Sequence, residues 1–344
     1  MSVRPATHGG LWYSNSSSKL AHQMEAYFKK AASLKEQLYG DDDITGPISG
    51  ARILIGPHAG YSYSGERLAE TFTVWDTSKV KRVFILGPSH HVYFKNYAQI
   101  SKYDYYETPL GNLPVDSSLS KELVSYRGSR TGAPVFKYMS EEVDEDEHSF
   151  EMHAPYIYYR SKGLAQGVPS IIPIMISGMD DSTCDDLASA LSPYLADEEN
   201  TFIISSDFCH WGYRFGFTEY LKKVPSGTNI SSNDIITLTP STTTSPSMPI
   251  HRSIEHLDKL AMLIASKGSH DAWKKYIALT GNTICGQRPI YVILKTLDKY
   301  KSSKPDLFQG QSVFNWINYS QSSPIRVFKE SSVSYASGYV KLAD

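Results

Sequence analysis

Residues 52–61 read Arg-Ile-Leu-Ile-Gly-Pro-His-Ala-Gly-Tyr, and residues 82–91 read Arg-Val-Phe-Ile-Leu-Gly-Pro-Ser-His-His. Each is a short apolar run closed by Gly-Pro, the composition of a strand buried on both faces. Glu66 to Trp75 between them has helical spacing, so the order is strand, helix, strand, which is the βαβ rhythm of an α/β sheet. Ligands of open α/β sheets bind beyond the carboxyl ends of the strands. His58 and His90 stand at two such ends and are expected to face one pocket.

The rhythm continues outward. Ser17 to Gln37 spaces Leu20, Met24, Tyr27, Phe28 and Ala31 as an amphipathic helix. Ser170 to Ile176 reads as a strand, Asp181 to Leu195 as a helix, and Thr201 to Ser205 as a strand that runs into Ser206-Asp207-Phe208-Cys209-His210-Trp211. A third strand end therefore carries a histidine. Helices are expected at Ser253 to Ser266, His270 to Leu279 and Pro289 to Tyr300, and strands at Val313 to Tyr319 and Val333 to Val340. Between them, Val224 to Pro249 is rich in Ser, Thr, Pro and Asn and reads as a mobile surface insertion. Nothing resembling a linker divides the chain, so one domain over residues 1–344 is expected.

The 34 basic and 36 acidic residues are spread along the chain, leaving no footprint for nucleic acid or an anionic membrane. The first residues lack the apolar core of a signal peptide, and no run of about 18 apolar residues occurs, so a soluble protein without membrane insertion is expected. Three cysteines, Cys184, Cys209 and Cys285, are too few and too odd for a disulfide framework and suit a reducing compartment.

A single histidine after a strand is most often structural, held by a backbone carbonyl. Recurrence at His58, His90 and His210 is what favours one site. Cys285, in Asn-Thr-Ile-Cys-Gly-Gln-Arg-Pro, precedes a helix whose start would favour thiolate, although a buried inert thiol is an equal reading. Two imidazoles and a thiolate would suit zinc, iron or copper. Asp207 and His210, three apart, could orient one another or act as acid and base. The run Asp144 to His153 is most simply a solvated helix start; alternatively His148, Glu151 or His153 supports the ligands from behind. His8-Gly9-Gly10-Leu11-Trp12-Tyr13 is either a pocket rim or a surface-packed terminus. His-x-x-Glu-x-His is not the zinc-protease helix motif, and neither a phosphate-cradling loop with its lysine nor a Gly-x-Ser-x-Gly elbow is present.

Taken together, the segments at His8 to Tyr13, Pro57 to Tyr61, Ile85 to His91, Asp144 to His153, Ser205 to Gly212, Arg252 to Asp258, Asn282 to Gly286 and Ser331 to Ala336 resemble the Memo family over nearly the whole chain. The resemblance implies the fold of class III extradiol dioxygenases, an α/β domain whose central sheet is flanked by helices. In those enzymes two histidines and a glutamate hold a non-haem iron, and a further histidine is the acid/base. By resemblance His58 and His90 take the histidine places, with His90 chosen over its neighbour, and His210 takes the acid/base place beside Asp207. Cys285 replaces the carboxylate, which points away from ring cleavage and toward redox chemistry on copper or iron, with zinc as a third option, and dioxygen or a small redox substrate as reactant. His8, Trp12, Tyr61 and His91 are expected in the cleft, with His148 and Glu151 behind the ligands. Memo-like proteins are also linked to signalling, cell motility and metal homeostasis. That implies an alternative, an adaptor holding phosphotyrosine-type peptides or a signalling protein in the same cleft, in the cytoplasm and also the nucleus.

Overall fold

Along Arg52-Ile53-Leu54-Ile55, successive side chains enter opposite layers. Ile53 and Ile55 join one apolar core, and Leu54 joins another. Phe84 and Leu86 alternate with Val83 and Ile85 in the same way, as do Ile172 and Ile174 with Ile171 and Met175. That is the period-two signature of strands covered on both faces. The structure, a computed structural model, describes residues 1–129, 132–304, 306, 308 and 311–342.

Numbered in chain order, the strands of the central sheet are β1 (Ala51–Gly56), β2 (Arg82–Pro88), β3 (Ala98–Ile100), β4 (Phe136–Tyr138), β5 (Ser170–Ile176), β6 (Asn200–Ser205), β7 (His210–Trp211), β8 (Asn315–Gln321) and β9 (Ser332–Lys341). They lie in the order β7-β9-β1-β6-β2-β5-β3-β4, with β8 also paired to β9. The middle four strands, β1, β6, β2 and β5, are parallel. Antiparallel β9 and β3 flank them. Gly56 is in register with Ser205, so β1 and β6 end level with one another.

Helices Ser17–Ala31, Tyr61–Thr73 and Ala154–Ser161 cover one face through Leu20, Met24, Leu68, Phe72 and Tyr156. Helices Asp181–Ala196, Ile250–Ser266, His270–Thr280 and Gln287–Ser303 cover the other through Leu187, Leu191, Leu260, Trp273 and Ile293. The fold is the expected α/β arrangement of a large mixed sheet between helical layers. Among the described residues no helix is long and apolar enough to cross a membrane.

Two stretches differ from expectation. The first helix ends at Ala31 because the chain beyond it turns to the sheet, where the amides of Leu38 and Tyr39 donate to the carbonyls of Ile317 and Trp316 on β8, each at 2.9 Å. The Ser/Thr-rich insertion contains Ile235–Thr237, which pairs antiparallel with Glu219–Leu221. It is anchored by buried Leu238 and Met248, which join Trp211, Tyr220 and Ile254 in a third apolar cluster.

Helices Ser17–Ala31 and Tyr61–Thr73 meet where the Tyr27 ring lies over Gly65, and a Cβ at Gly65 would fall 2.3 Å from Tyr27 Cε2. Alanine is the better helix former by about 1 kcal/mol. Gly65→Ala is nevertheless expected to destabilise the protein by about 1–3 kcal/mol through overpacking. Urea unfolding checks this; a stabilised variant would show that the two helices separate freely.

Candidate metal centre

Three parallel strands end on one edge of the sheet, and the chemistry begins two residues beyond each, at His58 after β1, His90 after β2 and Asp207 after β6. The four-residue helix His148–Glu151 closes over that edge. It comes close because residue 87 is glycine: a Cβ there would lie 2.4 Å from Ser149 Oγ.

His58 is buried, and its Nδ1 lies 2.8 Å from Ser205 Oγ. Ser205 donates its one proton to the Ser149 carbonyl at 2.7 Å, so its oxygen accepts from His58 Nδ1–H and, at 3.0 Å, from His153 Nε2–H. This network assigns the tautomer and leaves the His58 Nε2 lone pair facing the site. His90 is held by another device: its amide and its Nδ1 donate to the two oxygens of Glu147, at 2.8 and 2.7 Å. Glu147 also accepts from the Ser149 amide at 2.9 Å. The free nitrogen of His90 is again Nε2. The His148 ring stacks on His90, centroids 4.2 Å apart, and rests on Trp12 at 4.5 Å. His58, His90 and His148 each offer one nitrogen, and these three atoms lie within 4.8 Å of one another.

Cys285 stands beside His58, outside that group of three, with Sγ 3.1 Å from His58 Nε2 and accepting from the Asp207 amide at 3.1 Å. The following helix begins at Gln287, and burial with the neighbouring Asp207 pushes the thiol up. Without an ion Cys285 is therefore a thiol. Asp207 accepts from the His58 amide at 2.8 Å, and burial raises its carboxyl above the usual range against the opposing pull of His210. His210 Nδ1 lies 2.9 Å from the Phe208 carbonyl and 3.2 Å from that of Thr283, so it carries the proton and Nε2 is free.

His8 repeats the arrangement of His90. Its amide and Nδ1 both donate to Glu151, each at 2.8 Å, and Glu151 also accepts from Arg4 at 2.6 Å and Tyr13 at 2.7 Å. Trp12 lines a cleft of about 590 Å³ with Leu11, Ala59, Tyr63, Arg214 and Phe215. Tyr61 lies elsewhere: it is buried, stacks on Tyr13, and donates to the Met152 carbonyl. His91 is exposed, its ring 6.3 Å from that of His148. The run Asp144 to His153 is only partly a solvated helix start, because Asp144, Glu147, Glu151 and His153 are buried. Ser205 and Glu147 were not singled out in the sequence. The available signal was a carboxylate on either side of His148, one turn apart.

Burial holds His153 down to about 3, and burial with the neighbouring His90 does the same for His148, against an ordinary 6.5. Burial alone would raise Glu147 and Glu151, but the hydrogen bonds and charge of His90 bring Glu147, and the hydrogen bond of His8 with the charge of Arg4 brings Glu151, from 4.5 to about 2. The unfolded chain thus binds the histidine protons first, and stability falls as pH drops from 6.5 toward 3. The glutamates' contribution is complete above 4.5 and is lost as pH falls through 2. In metal-free protein, His153→Gln is expected to lower the pH dependence of unfolding free energy between pH 4 and 6 by about 1.4 kcal/mol per pH unit. Urea titrations at a series of pH values read this directly, and an unchanged slope would refute the buried neutral imidazole.

The Memo-like protein family matches residues 4–339. The chain is 42% identical to the MEMO1 family protein MHO1 of Saccharomyces cerevisiae over 354 residues, covering 99% of this chain and 100% of that protein. It is 37% identical to the MEMO1 family protein C4H3.04c of Schizosaccharomyces pombe, with 97% of each chain covered. To Protein MEMO1 of Homo sapiens it is 36% identical, over 97% of this chain and 96% of the human one. Matched over nearly its whole length by that family and by relatives of 36–42% identity, the chain belongs to the Memo-like family.

Proposed function

We propose that this protein holds one transition-metal ion, copper or iron with zinc as the third candidate, and performs metal-dependent redox chemistry on a small substrate or dioxygen. The observation that carries the reading is the convergence of His58, His90 and His148, one nitrogen each within 4.8 Å. His58, His90 and Cys285 are the ligands in this reading, with His148 beside them as a further donor. The 3.1 Å between Cys285 Sγ and His58 Nε2 suits two donors of one ion, for which typical bond lengths are about 2.3 Å to sulfur and about 2.0 Å to nitrogen. His58 and His148 are held neutral, as ligands must be.

Copper or iron bound there would supply one-electron redox chemistry and a Lewis-acidic position, and zinc the Lewis-acidic position alone. The protein does the rest. Ser205 and Glu147 keep the two Nε2 lone pairs presented. His210, its Nδ1 proton committed to backbone carbonyls, accepts or delivers a proton at Nε2. Trp12, packed on His148, shields that side from water. Three unpaired thiols suit a reducing compartment, the cytoplasm and also the nucleus.

A second reading rests on the cleft beside the ligands. Arg214, Trp12, Phe215 and the serines at 322, 323, 331 and 332 line it, and this mixture of one cation, aromatic walls and hydroxyls suits an extended phosphopeptide of a signalling partner.

Protein purified without chelator or nickel is expected to carry near-stoichiometric copper or iron by elemental analysis, lost in His58→Ala and His90→Ala. Cys285→Ser is expected to weaken metal binding by about tenfold or more. Oxygen uptake no greater than that of free metal would remove the redox reading. A wild type that takes up no metal at all, together with phosphopeptide affinity equal in wild type and Cys285→Ser, would leave the adaptor.

A further inference from the structure

Asp258, Asn282 and Ser334 come from three separate segments of the Memo resemblance, and all three are fully buried outside the cleft. They meet behind it. Asp258 Oδ1 accepts from the Cys209 amide at 3.3 Å and from Asn282 Nδ2 at 3.0 Å. Its other oxygen lies 2.8 Å from the Tyr319 hydroxyl, which is 2.9 Å from Ser334 Oγ. The Ser334 amide in turn donates to the Cys209 carbonyl at 3.0 Å.

What this buried carboxylate joins is two loops of the site. Cys209 immediately precedes His210, and Asn282 stands three residues before Cys285. In front of the carboxylate the same loops are laced together: the His210 amide donates to Thr283 Oγ1, Thr283 Oγ1 donates to the His210 carbonyl, and the Asp207 amide donates to Cys285 Sγ. The frontal bonds tie the loops to each other. Asp258 ties them both to a third element, the helix Ile250–Ser266, through charge-assisted bonds that are stronger than neutral ones.

We propose that Asp258 is a positioning residue of the site: by gripping Cys209 and Asn282 at once it sets the spacing of the His210 and Cys285 loops, and hence where the thiol stands relative to His58. The importance of that spacing rests on the metal-binding reading. Its existence does not, and it can be measured in metal-free protein.

Asp258→Asn keeps the shape but takes the negative charge from the oxygen that accepts from both Cys209 and Asn282, and so weakens both arms of the grip at once. The readout is the rate of alkylation of each cysteine by iodoacetamide in the full chain, followed by peptide mass spectrometry. Fully buried Cys184 reports global opening, and Leu20→Ala, in the apolar layer on the opposite face of the sheet, is the control for general destabilisation. Labelling of Cys285 in Asp258→Asn is expected to rise about tenfold while that of Cys184 is unchanged. Leu20→Ala is expected to raise both together. Cys285 labelling that equals wild type, or rises only in step with Cys184, overturns the proposal. Should Asp258→Asn fail to fold, Asn282→Ala removes the Cys285-loop arm alone and is judged by the same comparison. Cobalt(II) added to wild type tests the other premise separately: no sulfur-to-metal absorption band counts against Cys285 as a ligand, while the alkylation result still decides the role of Asp258.

Discussion

A serine hydroxyl has one proton to give, and Ser205 gives it to the Ser149 carbonyl. From that single commitment the tautomers of His58 and His153 follow, since both rings must then donate to the same oxygen. It also ties the end of β6 to the helix His148–Glu151 and to the residues after β1. Sheet, covering helix and first imidazole are joined at one atom, and that atom is buried where water cannot compete for it.

The other imidazoles depend on a repeated carboxylate. Glu147 and Glu151 stand one helical turn apart, so they project in nearly the same direction, and each grips a histidine by ring and amide together. His148 lies between them. Burying carboxylates is costly unless they are paired, and Arg4, buried against Glu151 and Asp144, offsets part of that. The N-terminal segment is thus part of the site's electrostatics, through Arg4, His8 and Tyr13, and is more than a packed terminus.

Much of the fold was legible because buried parallel strands are apolar runs with punctuated ends. His58 and His90 were legible for the same reason: Gly-Pro marks the strand end, and the histidine follows at a fixed offset. Burial of Asp144, Glu147 and Glu151 was not legible. Among acidic neighbours that do face solvent, nothing local distinguishes the carboxylates that Arg4 and two distant histidines draw inward. Tyr61 misled because it adjoins the His58 motif, yet it opens a helix and its own ring turns into the core, while the next two residues face the cleft. The thiol state of Cys285 was likewise a tertiary matter, decided by how deeply the loop is covered. The insertion at 224–249 looked unable to bury anything, but two apolar residues, Leu238 and Met248, suffice when a neighbouring cluster already waits for them.

Strand β9 comes last of the sheet strands along the chain, yet it lies between β1 and β7. During synthesis the residues that carry His58 and His210 are made long before the strand that pairs with both β1 and β7. Until β9 emerges, one edge of β1 has no hydrogen-bonding neighbour, and an unpaired apolar edge invites association with other chains. The assembly order is therefore inverted with respect to the order of translation: the imidazoles come early, and the wall that holds them in place comes at the end. Such long-range pairing folds slowly, so the nascent protein passes through an interval in which its histidines and thiols are present but not yet arranged as a site.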